Sequence, residues 1–333
     1  MPTLTEPLRF ERRVLEKVWG GNGLARRLGF SRRGGGPVGE TWEIVDRAEA
    51  SSVVAVGEHR GLTLGQLMEV HAEELLGDAL PGRGRRFPLL VKYIEAAERL
   101  SVQVHPDEEA AATLGHGAEP KIEAWYVIDV ADGGILYAGL RPDVTREDLA
   151  ALATGPEIEE TLLRWQVRPG DCLLVPGGTV HAIGAGVTLL EVQQSSDTTY
   201  RLYDWGRVGL DGRPRPVHVP EALACIRFGR EARGPAAPIW QDASPSLRVA
   251  ALARCGHFAM DGLRVEGPTA FATEGSFRVL AVIEGNGEIA VPATGARHDL
   301  MRGDVWLLPA AVGEHVIEPG QGELLLVQMT RGA

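Results

Sequence analysis

The chain has 333 residues, of which 44% are hydrophobic, and this length predicts two domains or one domain with large additions. A formal net charge of −11 argues against a nucleic-acid or anionic-membrane partner, and no apolar run reaches the roughly 18–20 residues that a membrane span needs. The residues from Met1 to Phe10 lack the apolar region of a signal peptide, and the cysteines, Cys172, Cys225 and Cys255, form no disulfide pattern, which predicts a cytoplasmic protein.

Strand and helix patterns alternate along the N-terminal part of the chain. Period-two alternation or short apolar runs predict strands at Phe10–Trp19, Glu40–Asp46, Leu89–Ile94, Ser101–His105, Glu123–Val130, Gly134–Ala138 and Cys172–Val175. Helical spacing and capping residues predict helices over Thr63–Leu76, Pro106–Leu114, Thr145–Leu152 and Pro156–Leu163. Turn-forming residues predict a loop at Ser31–Pro37 and a turn at Asp132-Gly133.

Three separated segments carry side chains that suit one divalent metal. Gln103 and His105 lie two residues apart in a predicted strand, so their side chains point to the same face, and the same holds for Lys121 and Glu123. His181 begins a further strand after a Pro-Gly-Gly turn. Taken singly, each is equally well explained as an ordinary strand residue. Together, two imidazoles, a carboxylate and an amide predict a zinc site with one open position for substrate.

The run from Gly170 to His181 resembles the second conserved motif of cupins, which are small β-barrels that hold a metal near one end. Further motifs follow in order at Val18–Gly21, Gly39–Glu43, Leu100–Asp107, Lys121–Tyr126 and Glu191–Arg201. With them, the chain resembles the type I mannose-6-phosphate isomerases of the short bacterial kind. The resemblance is dense from about Trp19 to about Trp205 and looser beyond.

This resemblance implies a mainly β fold with helical insertions and two cupin-like β-barrels (double-stranded β-helices). It implies interconversion of mannose 6-phosphate and fructose 6-phosphate through a cis-enediol, with one Zn²⁺ per chain and a small sugar phosphate as the partner. The family's zinc-ligand positions match Gln103, His105, Glu123 and His181. Its catalytic arginine matches Arg201, and positions that line the same cavity match Lys121, Glu191 and Asp197. A monomer or homodimer is expected.

A weak internal repeat predicts the second barrel. Gly303–Pro309 matches Gly170–Pro176 at every motif position, but Arg278 stands in place of Glu123, so we expect this barrel to lack a metal set. The predicted division is a metal-binding catalytic domain at 1–227, a Gly- and Pro-rich linker at 228–246, and a degenerate cupin-like β domain at 247–333. The alternative is that the motif is a common turn-strand-turn sequence pattern and does not indicate a repeat.

Several roles stay open at this level. The general base is Glu40, Lys121, Glu191 or a metal-held water. Lys121 and Glu191 are alternatively a surface ion pair, and Arg201 is alternatively paired with Asp197. The candidates for substrate binding are Ser101, Glu40, Asp197, Arg207 and Trp19, with Ser101 and Arg207 directed at the phosphate. Arg141 and Lys92 are weaker phosphate candidates.

Two other functions compete with the isomerase. One is a catalytically idle, metal-binding cupin that senses or binds sugar phosphates, which could dispense with Arg201, Lys121 and Glu191. The other is a different cupin enzyme, such as a metal-dependent oxygenase. An oxygenase would more often carry two histidines in one strand, where this chain has Gln103 and His105. Because all the matched proton-transfer groups are present, the sequence favours the isomerase.

Overall fold

The structure is a computed structural model that describes residues 3–31, 35–78, 86–131 and 133–332. Strands dominate these ranges, as predicted, and short helices are inserted between them. None of the described helices is long and apolar enough to cross a bilayer. Part of the predicted loop at Ser31–Pro37, and Asp132 of the predicted turn, lie outside the described residues.

The strands of the N-terminal part supply the side chains of the candidate site. They are β1 Leu8–Arg9, β2 Arg13–Gly21, β3 Val38–Ile44, β4 Leu89–Ala96, β5 Val102–Val104, β6 Glu123–Val130, β7 Ile135–Leu140, β8 Leu162–Gln166, β9 Cys172–Val175, β10 His181–Ile183, β11 Val187–Gln194 and β12 Tyr200–Tyr203. The strands of the C-terminal part are β13 Gln241–Ser244, β14 Leu247–Arg254, β15 Phe258–Val265, β16 Thr269–Ala272, β17 Arg278–Glu284, β18 Asn286–Val291, β19 Ala296–Met301, β20 Val305–Leu308, β21 Glu314–Pro319 and β22 Leu324–Arg331.

The helices are short and lie between strands. They are α1 Gly23–Arg27, α2 Leu64–Leu76, α3 Glu108–Leu114, α4 Arg146–Leu152 and α5 Val219–Cys225, with 3-10 helices at Pro156–Thr161 and Ala310–Val312. Thr63 caps α2 in a capping box with Gln66, and Thr145 caps α4 in a box with Asp148, as its spacing predicted.

Two sheets of the N-terminal part enclose an apolar core. One is six-stranded in the order β2-β3-β4-β11-β6-β9, and the other is five-stranded in the order β12-β5-β10-β7-β8. Ile94 and Trp125 of the first sheet pack with Leu136 and Ile183 of the second. The candidate metal ligands come from both sheets, so the packing of one sheet on the other determines how closely they approach.

The C-terminal part repeats this arrangement with a seven-stranded sheet, β1-β20-β17-β22-β15-β14-β13, and a four-stranded sheet, β16-β21-β18-β19. The repeat extends to strand register, because Glu123 pairs with Val175 on β9 and Arg278 pairs with Leu308 on β20. Closure of each sheet pair into a barrel stays a prediction.

The two parts of the chain share structure. Leu8 of β1 pairs with Leu307 in the seven-stranded sheet. Tyr93 on the outer face of the six-stranded sheet packs in one apolar cluster with Phe258 and Val327. Strand β13 lies within the predicted linker. The division at 227 and 246 stays a prediction, and these contacts indicate that the parts do not fold as isolated units.

Most predicted elements are found within a few residues of their predicted ends. The first predicted strand begins at Arg13 rather than Phe10, and Phe10 forms only an isolated bridge with Val54. The predicted helix at Pro156–Leu163 is a 3-10 helix that ends at Thr161, because the chain turns into strand β8. Helices α1 and α5 were not predicted, although Pro220 in the first turn of α5 is a helix-start signal.

Candidate metal centre and active site

Three buried side chains converge on one point between the two N-terminal sheets. His105 and His181 place Nε2 3.2 and 3.3 Å from the two carboxylate oxygens of Glu123. One ligand atom from each of the three residues lies within 4.8 Å of the others. Each residue is about 1% exposed. The sequence predicted these three residues as the strong ligands of a metal, and the structure brings them together.

Backbone carbonyls orient both imidazoles. Nδ1 of His105 lies 2.9 Å from the carbonyl oxygen of Thr198, and Nδ1 of His181 lies 2.9 Å from that of Thr179. A carbonyl oxygen only accepts, so each Nδ1 carries the proton and each neutral ring presents an Nε2 lone pair to Glu123. Burial lowers the pKa of both rings, with the charge of Lys121 adding to the effect, and that of His105 falls to about 3.

The donor atoms of this group fit a cation. Nε2 of His105 and both oxygens of Glu123 are buried and make no well-oriented hydrogen bond with the described residues, although Lys121 Nζ lies 2.9 Å from one oxygen. Lone pairs of two neutral imidazoles that face a carboxylate repel it unless a cation lies between them. Two nitrogens and a carboxylate suit zinc.

The turn before His181 couples the two histidines. Gly178 has φ of 84°, a left-handed conformation that favours glycine, and its N–H donates to the carbonyl oxygen of His105 at 2.8 Å. A Cβ on Gly177 would lie 2.8 Å from Asp107 Cα, so only glycine fits there. The Pro-Gly-Gly turn therefore positions the start of β10 against the end of β5.

Gln103 lies beside this group. It is directly opposite His181 on the neighbouring strand, and its Nε2 is 3.2 Å from His181 Nε2. Its Oε1 accepts a hydrogen bond from Ser101 Oγ at 3.2 Å. In this orientation the amide nitrogen, which cannot ligate a cation, faces His181. Rotation of the amide by half a turn would present the oxygen.

A second row of polar side chains crosses the six-stranded sheet. Glu191 is directly opposite Lys92 on one side and Trp125 on the other. Lys92 Nζ lies 3.0 Å from Glu191 Oε1, and Trp125 Nε1 donates to Oε2 at 3.1 Å. Lys121 Nζ is 4.0 Å from Glu191 Oε1. Lys121 and Glu191 are thus buried beside Glu123, which rules out the alternative of a surface ion pair.

Glu191 and Glu40, two of the buried carboxyl groups in this region, have opposite pKa shifts. Burial, and then the charge of Glu123, raise the pKa of Glu191 to about 7 against the opposing effect of Lys92 and Lys121. Burial also raises the pKa of Glu40, but the charges of Lys92 and Lys17 and a hydrogen bond from Trp42 outweigh it and bring it to about 2. Glu191 is therefore suited to exchange a proton near neutral pH.

Arg201 belongs to the same sheet face as the ligands on the five-stranded sheet. It is directly opposite Gln103, and its Nη1 donates to the carbonyl oxygen of Pro216 at 2.8 Å. Its buried Nε makes no hydrogen bond within the part of the chain that the structure describes. Within the described ranges no ion pair joins it to Asp197, which is exposed. The alternative of an Asp197–Arg201 pair is therefore not observed.

Three further candidates have other contacts. The guanidinium of Arg207 donates to Asp204 Oδ1 at 2.9 and 3.1 Å and to the carbonyl oxygen of Arg99 at 2.6 Å. Trp19 is buried in the apolar core between the sheets. Arg141 is exposed, with its Nε 3.5 Å from Asp143. These contacts account for the three side chains without a ligand.

Lys92 has a more central position than the sequence predicts. The sequence makes it a weak phosphate candidate, but the side chain is buried, and its pKa is raised because Glu191 and Glu40 outweigh the effect of burial. The usable signal was a single cation within the apolar strand β4. The Asp204–Arg215 ion pair, which holds the segment after β12, carries no such signal.

The fold and the site define a cupin-like protein with a buried group able to bind a metal. A model of the catalytic domain of type I phosphomannose isomerase matches residues 8–125. The mannose-6-phosphate isomerase ManA of Bacillus subtilis is 36% identical over 94% of this chain and 96% of its own length.

Solved structures agree. The crystal structure of mannose 6-phosphate isomerase from Bacillus subtilis superposes with a TM-score of 0.87 at 30% identity, covering 97% of this chain and 99% of that one. A mannose 6-phosphate isomerase bound with zinc and yttrium shares the fold, with a TM-score of 0.75 at 19% identity over 98% of this chain and all of that one. The chain therefore belongs to the type I mannose-6-phosphate isomerase family of enzymes.

Proposed function

We propose that the chain is a zinc-dependent isomerase that interconverts mannose 6-phosphate and fructose 6-phosphate through a cis-enediol. The convergence of two neutral imidazole Nε2 atoms on both oxygens of Glu123, with Lys121 and Glu191 beside them, carries this proposal. A relative of the same fold that is described as bound with zinc also supports the choice of metal.

His105, Glu123 and His181 would hold one zinc ion per chain, with Gln103 as a fourth ligand after rotation of its amide. When bound, zinc would supply Lewis-acid polarisation of the sugar oxygens. The requirement for a neutral His105 and His181 is already met by burial, so metal binding does not have to remove protons from these rings near neutral pH.

The isomerisation moves a proton between C1 and C2 and exchanges protons at O1 and O2. We assign the transfer of the carbon-bound proton to Glu191, because burial and the charge of Glu123 raise the pKa of its carboxyl to about 7. Lys121 Nζ, 4.0 Å from it, would exchange protons with the sugar oxygens. Arg201 would stabilise negative charge on the enediolate, since its Nε has no competing hydrogen bond.

The roles of the remaining substrate-binding candidates are proposed from where their side chains lie. Ser101 Oγ lies beside Gln103 and is a candidate for binding the sugar phosphate, as is Glu40 for a sugar hydroxyl. Asp197 is exposed near Thr198, whose carbonyl orients His105, and is proposed to lie at the entrance. Arg207 and Trp19 would act indirectly, by holding the loop after β12 and the core.

The decisive test is a coupled assay of the purified protein with mannose 6-phosphate, before and after chelation and after return of zinc. Turnover that is lost with the metal and restored by zinc supports the proposal. Turnover that persists in chelated protein shown to contain no metal would refute it. Binding of sugar phosphate without turnover in the loaded protein would indicate the sensor instead.

The protein is further proposed to work in the cytoplasm, as a monomer or homodimer. Its cysteines, Cys172, Cys225 and Cys255, are all free thiols, which suits a reducing compartment.

A further inference from the structure

The C-terminal sheet pair keeps the geometry of the metal site but changes its charge. His315 is directly opposite Phe271, as His181 is opposite Gln103. Nδ1 of His315 lies 3.1 Å from the carbonyl oxygen of the residue two before it, Gly313, which repeats the contact between His181 and Thr179. The C-terminal sheet pair therefore retains the counterpart of the His181 imidazole. The proton of this ring is on Nδ1, so its Nε2 carries a lone pair.

The other ligand positions are substituted. Phe271 stands where the first site has Gln103, and Thr273, two residues along, stands where it has His105. Arg278 takes the register position of Glu123. Gln328 lies opposite Leu280, as Glu191 lies opposite Trp125. The guanidinium of Arg278 in the second site thus replaces the carboxylate of Glu123 in the first.

These residues line a cavity that is open to solvent. It has a volume of about 550 Å³, within the range of small-molecule sites, and Phe271, Arg278, His315 and Gln328 form part of its wall. The rings of Phe271 and His315 stack with centroids 5.8 Å apart and an angle of 17°. The lining therefore combines an aromatic pair with hydrogen-bond donors and acceptors.

The guanidinium of Arg278 can donate a further hydrogen bond. Its Nε is buried and makes no hydrogen bond to any described residue, while its Nη2 donates to Glu274 at 2.5 Å. The Arg278 side chain is 16% exposed and that of Glu274 is 76% exposed, so the pair is open to water on the carboxylate side. Water screens the charge of Glu274 and weakens this pair, so a ligand oxyanion that accepts from both Nε and Nη2 can replace Glu274.

The other charges of the cavity leave room for an anion at Arg278. Glu314 also lines the cavity, but it is exposed, so water screens its charge. The charge that acts on buried His315 is that of Arg278, which adds to burial in lowering its pKa.

We propose that this cavity binds a small organic oxyanion, either a phosphate monoester or a carboxylate on a hydroxylated carbon skeleton. The oxyanion takes the fork of Arg278 and displaces Glu274. Hydroxyl groups of the ligand bond to Gln328 and to Nε2 of His315, and its carbon skeleton lies against Phe271. The site is separate from the metal group and does not take part in the proposed isomerisation.

The test is calorimetric titration of the full, zinc-loaded chain with fructose 6-phosphate, gluconate and neutral fructose. Arg278→Ala should weaken one class of sites by about ten- to hundredfold, the effect of losing a charged hydrogen-bond donor. Glu274→Gln should instead strengthen the same class by up to about fivefold, because it removes the competing carboxylate. Arg297→Ala, which removes an exposed arginine of the same sheet pair outside the cavity, should change nothing.

Fructose 6-phosphate and gluconate distinguish the phosphate ester from the carboxylate as the preferred ligand. The proposal is overturned if Arg278→Ala binds both like the wild type, if Glu274→Gln weakens binding, or if neutral fructose binds as tightly as the charged probes. Arg278→Lys, which keeps the charge without the fork, should bind with intermediate affinity and decides the matter if Arg278→Ala does not fold. His181→Ala is titrated in parallel. A class of binding sites that disappears in His181→Ala but not in Arg278→Ala belongs to the proposed active site and not to this cavity.

Discussion

Arg201 lies directly opposite Gln103 on the neighbouring antiparallel strand, and Gln103 lies directly opposite His181 on its other side. Directly opposed residues of a sheet send their side chains to the same face. The three residues therefore form a row that leads from the proposed metal ligands to a guanidinium with a free Nε. In the proposed mechanism, Arg201 at the end of this row would supply a positive charge to the bound sugar.

The first prediction concerns this guanidinium. If Arg201 stabilises an enediolate, it acts more strongly on the transition state than on bound sugar, so Arg201→Ala should lower kcat about a hundredfold or more with little effect on substrate affinity. Arg201→Lys should restore part of the rate, because lysine supplies charge without the planar fork. Zinc content should stay unchanged. Steady-state kinetics and calorimetry on the same preparations measure both quantities. Unchanged kcat with a collapse of affinity would make Arg201 a phosphate clamp.

The second prediction concerns the metal. His105→Ala or His181→Ala should lose most of the bound zinc by elemental analysis, because the two remaining strong ligands hold it poorly, whereas the wild type should carry about one ion per chain. His315→Ala is the matched control, since this histidine has the same backbone contact but no carboxylate neighbour at the position of Glu123. Full zinc and full turnover in His181→Ala would exclude the ligand assignment. Large zinc loss in folded His315→Ala would mean that the second site is also a metal site.

A third prediction follows from the pKa of Glu191, which is raised to about 7 by burial and by Glu123. The carboxyl is protonated below that pH and ionised above it, so a base at this position loses activity as the pH falls. A bound cation lowers this pKa, and the acidic limb of kcat in the loaded enzyme should therefore lie at or below about pH 7. Glu191→Gln should lower kcat about 10²–10⁴-fold and abolish the limb.

Trp125→Phe supplies the control for Glu191. It removes the hydrogen bond from Nε1 to Oε2, which stabilises the ionised carboxylate. The acidic limb should move to higher pH while the plateau rate is largely kept. A Glu191→Gln variant with a wild-type pH profile would assign the base to another group.

The fourth prediction concerns stability in acid. The pKa of Glu40 falls from 4.5 to about 2 on folding, since Lys92, Lys17 and Trp42 outweigh burial. A carboxyl with a lowered pKa stabilises the folded state above its unfolded value and loses that contribution as the pH falls toward the folded value. Glu40 should therefore contribute about 3 kcal/mol at pH 7, which is lost between about pH 4.5 and 2.

Denaturant unfolding of metal-free wild type and Glu40→Gln across this pH window measures the contribution. The glutamine variant should be less stable at neutral pH and should lose less stability on acidification. Parallel curves for the two proteins would show that Glu40 gains no net stabilisation from its cationic neighbours.

The sequence predicted that His105, Glu123 and His181 would come together because strand periodicity is local. Gln103 and His105, and Lys121 and Glu123, share a face by their spacing of two, and the Pro-Gly-Gly turn marks the start of the strand at His181. The contacts of Arg207 and Trp19 could not be predicted from the sequence. Arg207 lies in the loop after β12 and Trp19 lies in the core between two sheets, and the spacing of residues along one strand specifies neither contact.

What the sequence alone determined is the mainly β class, most element positions and the identity of the side chains that meet at the metal group. These depend on alternation, turn residues and capping boxes, which act over a few neighbouring residues. The tertiary structure decided which charges are buried together: Lys92 beside Glu191, Glu40 between cations, and Arg278 at the register position of Glu123. Burial and pKa depend on the packing of distant strands, and no local pattern specifies that packing.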